Sequence, residues 1–504
     1  AKTIKGYGMG ASGEAQNPTH QAKKMAMDDL RAFRDRFEIP ISDEELPKLP
    51  FYRPAEDSPE MKYLREHREK LGGYVPSRRT QAEALTVPPL SAFQAMLEAT
   101  GDREISTTMA FVRLLNTMLR DKAIGKRIVP IIPDEARTFG MEGLFRQIGI
   151  YSSVGQLYEP VDSDQVMYYR EDKGGQILEE GINEAGAFSS WLAAATAYST
   201  SNVPMIPFYI YYSMFGFQRI GDLAWAAGDS RARGFLLGGT AGRTTLNGEG
   251  LQHEDGHSHL QAAMIPNCVS YDPTFHYELA VIMQDGLRRM YQEQEDVFYY
   301  LTVMNENYSH PALPKGAEAG ILKGLYKLQE GKAGKGKKKA PRVQLMGSGT
   351  ILREVIAAAE LLEQDWGVAA DVWSATSFNE LRREAQETHR WNLLHPDQAQ
   401  KTSHVEQCLD ACEGPIVAST DYMRAFPDQI RPYVHRRYVT LGTDGFGRSD
   451  SREALRRFFE VDRHYVTLAA LKALADEGTL PASKAAEAIK KYGLDADRPN
   501  PVNV

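Results

Sequence analysis

Two stretches of the sequence carry side chains able to do acid–base chemistry. The run GEGLQHEDGHSH crowds His253, Asp255, His257 and His259 into a few positions. Imidazoles that exchange a proton near neutral pH can hydrogen-bond and neutralise a carboxylate, so this run suits proton transfer on a small anionic substrate. The second stretch, 176–191, reads QILEEGINEAGAFSSW and sets Glu184 among Ile182, Ala185, Gly186, Ala187 and Phe188. A carboxyl group with little else polar around it costs free energy unless it has a partner. Desolvation favours its protonated form, which can donate a hydrogen bond to a ring nitrogen. Asp134 and Glu135 after RIVPIIP, and Tyr212 and Phe215 at the end of PFYIYYSMF, are further candidates. So is His20, beside Lys23 and Lys24 in NPTHQAKK.

Three motif matches depend on context. His253-Glu254-Asp255-Gly256-His257 satisfies the zinc-hydrolase pattern H-E-x-x-H, which needs both histidines on one face of a helix. Gly248, Gly250 and Gly256 argue against a helix there, so no metal ligands are assigned and the zinc reading stands only as an alternative. Gly347-Ser348-Gly349, with Asp371 downstream, resembles half of a dinucleotide fingerprint, but Leu352 stands where a third Gly or Ala belongs, and the run reads as turn chemistry. GGTAGRTT lacks the lysine of a phosphate-binding loop.

The elements that must position these residues alternate. RIVPIIP, VPMIPFYIYY, ARGFLLGG, IPNCVSY and VFYYLTV read as buried strands, with helical patterns such as 106–119 and TFHYELAVIMQDGLRRMY among them. That predicts an α/β fold, a doubly wound, mostly parallel sheet over 90–328, whose ligands bind beyond the carboxyl ends of the strands. Residues 1–89 are rich in glycine and proline and read as a connector with helical patterns over 21–37 and 59–71. The Lys/Gly-rich 329–341 reads as a linker, and 342–504 opens with a βαβ unit and forms a smaller α/β domain. Residues 154–170 are polar and aperiodic, and fit a lid or a surface connection.

A chain of 504 residues with 42% hydrophobic content can build several cores. Its net charge of −8 argues against general nucleic-acid binding, and three cysteines point to a reducing compartment rather than a disulfide framework. No signal peptide or membrane-spanning run is apparent, so a cytoplasmic location is expected. The opening Ala1, without an initiator Met, suggests that a preceding part of a longer protein is missing.

The strings GQILEEGINEAGAFSSWLAAATAYST, MIPFYIYYSMFGFQRIGDLAWAAGD and GGTAGRTTLNGEGLQHEDGHSHLQAAMIPNCVSYDP resemble one family. It is the homodimeric, thiamine diphosphate-dependent first component of pyruvate dehydrogenase of Gram-negative bacteria, within the transketolase-like superfamily. The resemblance runs along the whole chain. It implies a pyrimidine-binding domain over 90–328 and a transketolase-like C-terminal domain from 342. Glu184 matches the acid that bonds the aminopyrimidine nitrogen, and Phe215 the aromatic packed on that ring. Tyr212 and His253 match residues beside the substrate carbonyl, Asp134 and Glu135 active-centre acids, and His259 a histidine that transketolases carry. His20 matches a histidine of a mobile inner loop used in acetyl transfer to lipoamide, and 154–170 an outer mobile loop.

The implied partners are pyruvate, a second copy of the chain and the lipoyl domain of the dihydrolipoyl acetyltransferase component. The family holds the diphosphate and Mg²⁺ through a GDG motif that this sequence lacks, so the resemblance implies a truncated form without that domain. A dimerising fragment without activity is the alternative that this departure leaves open.

Overall fold

Short runs of β-branched and aromatic residues, apolar on both faces, form strands buried from both sides. The computed structural model describes residues 1–73, 79–133, 136–161, 163, 169–332 and 340–504, which form two compact units, 1–78 and 79–504. The strands of the second unit are β1 (Ile128–Ile132), β2 (Ile150–Tyr151), β3 (Glu171–Asp172), β4 (Leu178–Glu179), β5 (Ile206–Tyr212), β6 (Phe235–Gly239), β7 (Cys268–Tyr271), β8 (Phe298–Thr302), β9 (Tyr326–Gln329), β10 (Arg342–Gly347), β11 (Ala369–Ser374), β12 (Ile416–Ser419) and β13 (Tyr438–Leu441).

The first sheet has the order β4-β1-β5-β6-β8-β7 and every pairing in it is parallel. The second, β13-β12-β10-β11-β9, is parallel except for β9, which runs antiparallel along β11. This is the predicted α/β architecture. Parallel strands need crossover helices that cover the sheet faces, which is why their residues are apolar throughout: all five of β6 and of β8 are buried.

Local signals set the helix boundaries. Ser106 Oγ accepts from Met109 N (3.1 Å) and starts the helix Thr107–Arg120, and Asn183 Oδ1 accepts from Gly186 N (3.1 Å) ahead of Glu184–Ala195. Across β5 and β6 the core is aromatic: Phe208 of β5 and Phe235 of β6 stack at 4.7 Å with planes 3° apart. That hydrophobic cluster continues through Leu301 into Val343, Leu345 and Val372 of the second sheet, so the two sheets share a core within one unit.

In the first unit the helix expected over 21–37 is confined to Met27–Arg36, preceded by a 3₁₀ turn, Asn17–Gln21, with Pro18 in its first positions. Pro59–Lys70 forms a helix with Ser58 as its cap. Neither helix buries a residue, and ion pairs such as Arg36–Glu14 (2.6 Å) lie at the surface. Among the described residues, no helix is long and apolar enough to cross a membrane.

Candidate active site

The carboxyl ends of β5 and β6 gather the aromatic candidates. Tyr212 is the last residue of β5, Phe215 closes the 3₁₀ turn Ser213–Phe215, and His253 ends another, Leu251–His253, in the loop beyond β6. Their rings form a triangle: Tyr212–His253 5.2 Å, Phe215–His253 5.1 Å and Tyr212–Phe215 6.0 Å between centroids. Phe139 supports Tyr212 from behind at 5.5 Å. It can do so because Gly239, paired with Tyr212 across β5 and β6, has no side chain: a Cβ there would collide with the Phe139 ring. Among the described residues, His253 Nδ1 is buried without a hydrogen-bond partner, and a carboxylate oxygen of Glu249, Oε2, lies 3.8 Å away.

Glu184 is the first residue of the helix Glu184–Ala195, and it is not isolated. Arg219, from the helix Phe217–Asp229, donates Nη1 to Glu184 Oε1 at 2.5 Å, and its guanidinium carbon lies 4.1 Å from the centre of the Phe215 ring. The expectation of an acid with little polar around it is thus corrected: Arg219 is the partner that such an acid requires. Sequence reading overlooked Arg219, although an arginine in the largely apolar MFGFQRIG was a signal. One arginine therefore ties Glu184 to the aromatic triangle.

The HEDGH run divides. His253 ends one turn and His257 precedes the helix Ser258–Ala262, so the two histidines do not share a helix face as zinc hydrolysis would require. His257 Nε2 meets Gln218 Nε2 at 2.7 Å, which keeps it near Arg219's helix. Asp255 is buried and acts structurally, accepting from His257 N and Ser258 N at 2.9 Å each. Glu254 is fully buried, and burial pushes its pKa up to about 7; one oxygen accepts from Arg448 N at 2.7 Å.

His259, expected beside the substrate, is fully buried. Its ring stacks on Phe426 (4.9 Å), meets Tyr422 edge-on and bonds Thr302 Oγ1 at 2.9 Å. Burial holds its pKa well below the usual imidazole range. The ring is enclosed by protein and offers no face to a substrate.

Asp134 and Glu135 lie outside the described residues, as do 162 and 164–168 of the expected outer loop and 333–339 of the expected linker. His20 sits exposed in the 3₁₀ turn of the first unit. The GSG turn holds no empty cradle, since Ser348 Oγ donates to buried Asp272 at 2.9 Å and a Cβ on Gly349 would press on the same carboxylate. Asp371 lies within β11, not at its end, and is engaged by Arg342 and by Gln344 Nε2 (3.0 Å). GGTAGRTT is likewise structural: Thr244 N and Oγ1 donate to buried Asp421 at 2.9 and 2.6 Å.

A mostly parallel sheet with its candidate residues at the carboxyl strand ends, joined to a second, smaller sheet, defines a transketolase-like α/β protein. Transketolase from Campylobacter jejuni superposes with a TM-score of 0.61 at 15% identity, covering 94% of this chain and 62% of that one. Transketolase from Pichia stipitis gives the same score and identity over 95% and 62%. Residues 87–311 match the model of the pyruvate dehydrogenase E1 component middle domain, and 324–462 that of the transketolase-like C-terminal domain.

The chain belongs to the pyruvate dehydrogenase E1 component family. It is 66% identical over its whole length to the E1 component of Cupriavidus necator and 60% identical over 99% of its length to that of Escherichia coli strain K12. It spans 56% of the length of each of these relatives.

Proposed function

We propose that this chain contributes the aminopyrimidine and substrate side of a thiamine diphosphate-dependent site that decarboxylates pyruvate oxidatively and acetylates the lipoyl group of the dihydrolipoyl acetyltransferase component of the pyruvate dehydrogenase complex. The observation that supports this most is the Tyr212–Phe215–His253 triangle joined to Glu184 through Arg219. An aromatic face, a carboxylate at its edge and an imidazole nitrogen without a partner among the described residues fit an aminopyrimidine ring with a small oxo acid beside it.

When bound, thiamine diphosphate supplies the carbon nucleophile and the electron sink that loss of CO₂ from a 2-oxo acid needs. The chain's own residues do the positioning. Phe215 would pack against the pyrimidine, and Glu184 would hydrogen-bond its ring nitrogen. His253 Nδ1 and the Tyr212 hydroxyl stabilise charge on the substrate carbonyl oxygen, as oriented polar groups in a partly dry cleft do. His20 serves the acetyl transfer, and the unassigned acids Asp134 and Glu135 belong to the same centre. In this reading 90–328 is the pyrimidine-binding domain and 342–504 the C-terminal domain. The diphosphate and Mg²⁺ are held by a part of the longer relatives that this sequence does not span, and the protein works as a cytoplasmic homodimer.

Calorimetry with thiamine diphosphate and Mg²⁺ on this chain, beside a longer protein that contains it, tests the division of the site. Binding should be much weaker to the chain alone, and equal affinity would overturn the placement of the diphosphate side. Failure of the longer protein to reduce an artificial acceptor in the presence of pyruvate would overturn the function.

A further inference from the structure

Within the second unit, a cavity of about 830 Å³ opens between the segment after β8 and the helices Ile351–Trp366, Arg452–Phe458 and Arg463–Asp476. Its lining has no residue in common with the aromatic triangle. Five arginines, Arg353, Arg452, Arg456, Arg457 and Arg463, and His464 line it.

The acids present do not use up this charge. Glu306 takes Arg353 Nη1 at 2.5 Å and also pairs with Arg456, and Glu354 takes Arg463 through Nε (2.9 Å) and Nη2 (3.0 Å). Asp462 caps the last of these helices and accepts from Arg457 at 3.2 Å, while Glu453 is exposed to solvent. Three enclosed carboxylates therefore face five guanidinium groups.

The unsatisfied donors are specific. Arg452 gives Nε to Thr245 O at 2.6 Å, but neither of its Nη groups has a hydrogen-bond partner among the described residues, and its nearest carboxylate oxygen is 4.0 Å away. Arg456, 5% exposed, has a buried Nε without a partner among the described residues. Arg353 uses one Nη on Glu306 and rests its guanidinium 4.6 Å from the centre of the Tyr308 ring. A buried N–H left unpaired is costly, guanidinium forks bind phosphate and carboxylate bidentately, and a phosphate dianion offers more charge and more acceptor oxygens to several arginines than chloride or a monocarboxylate does.

We infer that this cavity is a phosphate-binding site, taking inorganic phosphate or the phosphate group of a small organic molecule, with Arg353, Arg452 and Arg456 as its donors. Because its lining shares no residue with the aromatic triangle, phosphate there is read as an effector rather than as substrate.

The test is calorimetric titration of the chain with inorganic phosphate at pH 7.5 and fixed ionic strength, with acetate as the control anion. Saturable binding with one phosphate per chain is expected, at least tenfold tighter than acetate. Arg452→Gln and, separately, Arg353→Gln should each weaken it at least tenfold with the far-ultraviolet circular dichroism unchanged, whereas Arg382→Gln, outside the cavity, should not. The two cavity variants stand independently, so misfolding of one leaves the other to decide. Titration with glycerol 2-phosphate separates the sources: tighter binding than inorganic phosphate identifies an organic phosphate as the occupant, and weaker binding identifies the free ion. Phosphate heats that do not saturate, equal affinity for acetate, or full affinity in a folded cavity variant would overturn the inference. So would a longer protein that no longer binds phosphate, because an acidic segment of the polypeptide would then be the occupant.

Discussion

His310 should make the second unit acid-sensitive in a way that one substitution isolates. Its Nε2 bonds Ile105 O at 2.9 Å, its Nδ1 accepts the backbone N–H of His276 at 3.0 Å, and its ring stacks on that of His276 at 4.7 Å. Protonation would place an N–H on Nδ1 against another N–H. Burial foremost, with nearby Arg353 adding, lowers the pKa from 6.5 to about 4. Between these values the unfolded chain binds a proton that the folded chain does not, so stability rises with pH across that window and is lost as pH falls from 6.5 toward 4. At pH 5 the loss is about 1.5 pKa units, or roughly 2 kcal/mol. His310→Gln keeps a donor for Ile105 O and cannot take up a proton, but it loses the ring stacked on His276 and Tyr308 and the imidazole geometry that serves both bonds, costing about 1–3 kcal/mol at neutral pH.

The buried acids Glu254 and Asp272, each raised to about 7 by burial, act with the opposite sign, adding stability as pH falls. They are common to both proteins and cancel in the comparison. Urea unfolding of the wild type and the variant at pH 7.5 and pH 5, followed by circular dichroism, should show the gap between them narrowing by about 2 kcal/mol at the lower pH. A gap independent of pH would refute a buried, neutral His310.

Three other outcomes are expected. Glu184→Gln in the longer protein should slow pyruvate decarboxylation by about 10²–10⁴, measured with an artificial electron acceptor, and a loss under threefold would count against an acid–base role. His20→Ala should reduce acetylation of an isolated lipoyl domain far more than that acceptor assay, whereas equal losses would point to a structural role. Phe235→Ala, removing one ring of the stacked pair with Phe208, should destabilise the second unit by about 3–5 kcal/mol in urea unfolding, and a change below 1 kcal/mol would show that the site collapses around the gap.

The first sheet was legible because its strands are buried on both faces: runs such as FYIYY and GFLLGG are apolar without alternation, as a covered parallel sheet requires. Tyr212, Phe215 and His253 were legible as strand-end residues, and the structure brings them together. The partner of Glu184 was not, because Arg219 lies 35 positions away on another helix and that ion pair leaves no periodic trace. His259 misled for a related reason: its spacing from His253 and His257 suggests one cluster, but a helix starting at Ser258 turns it into the core against Phe426. Asp371, downstream of the partial GSG fingerprint, lies inside β11, where Arg342 and Gln344, one strand over, occupy its oxygens.

The absence of a side chain at Gly239 has a consequence for variation in sequence. Phe139 fills the space a Cβ would take and from there braces Tyr212, so the identities at 139 and 239 form one joint choice. A library randomised at 239 alone should return glycine. One randomised at both positions should also return larger residues at 239, each with a smaller one at 139, and those pairs would leave Tyr212 without its brace.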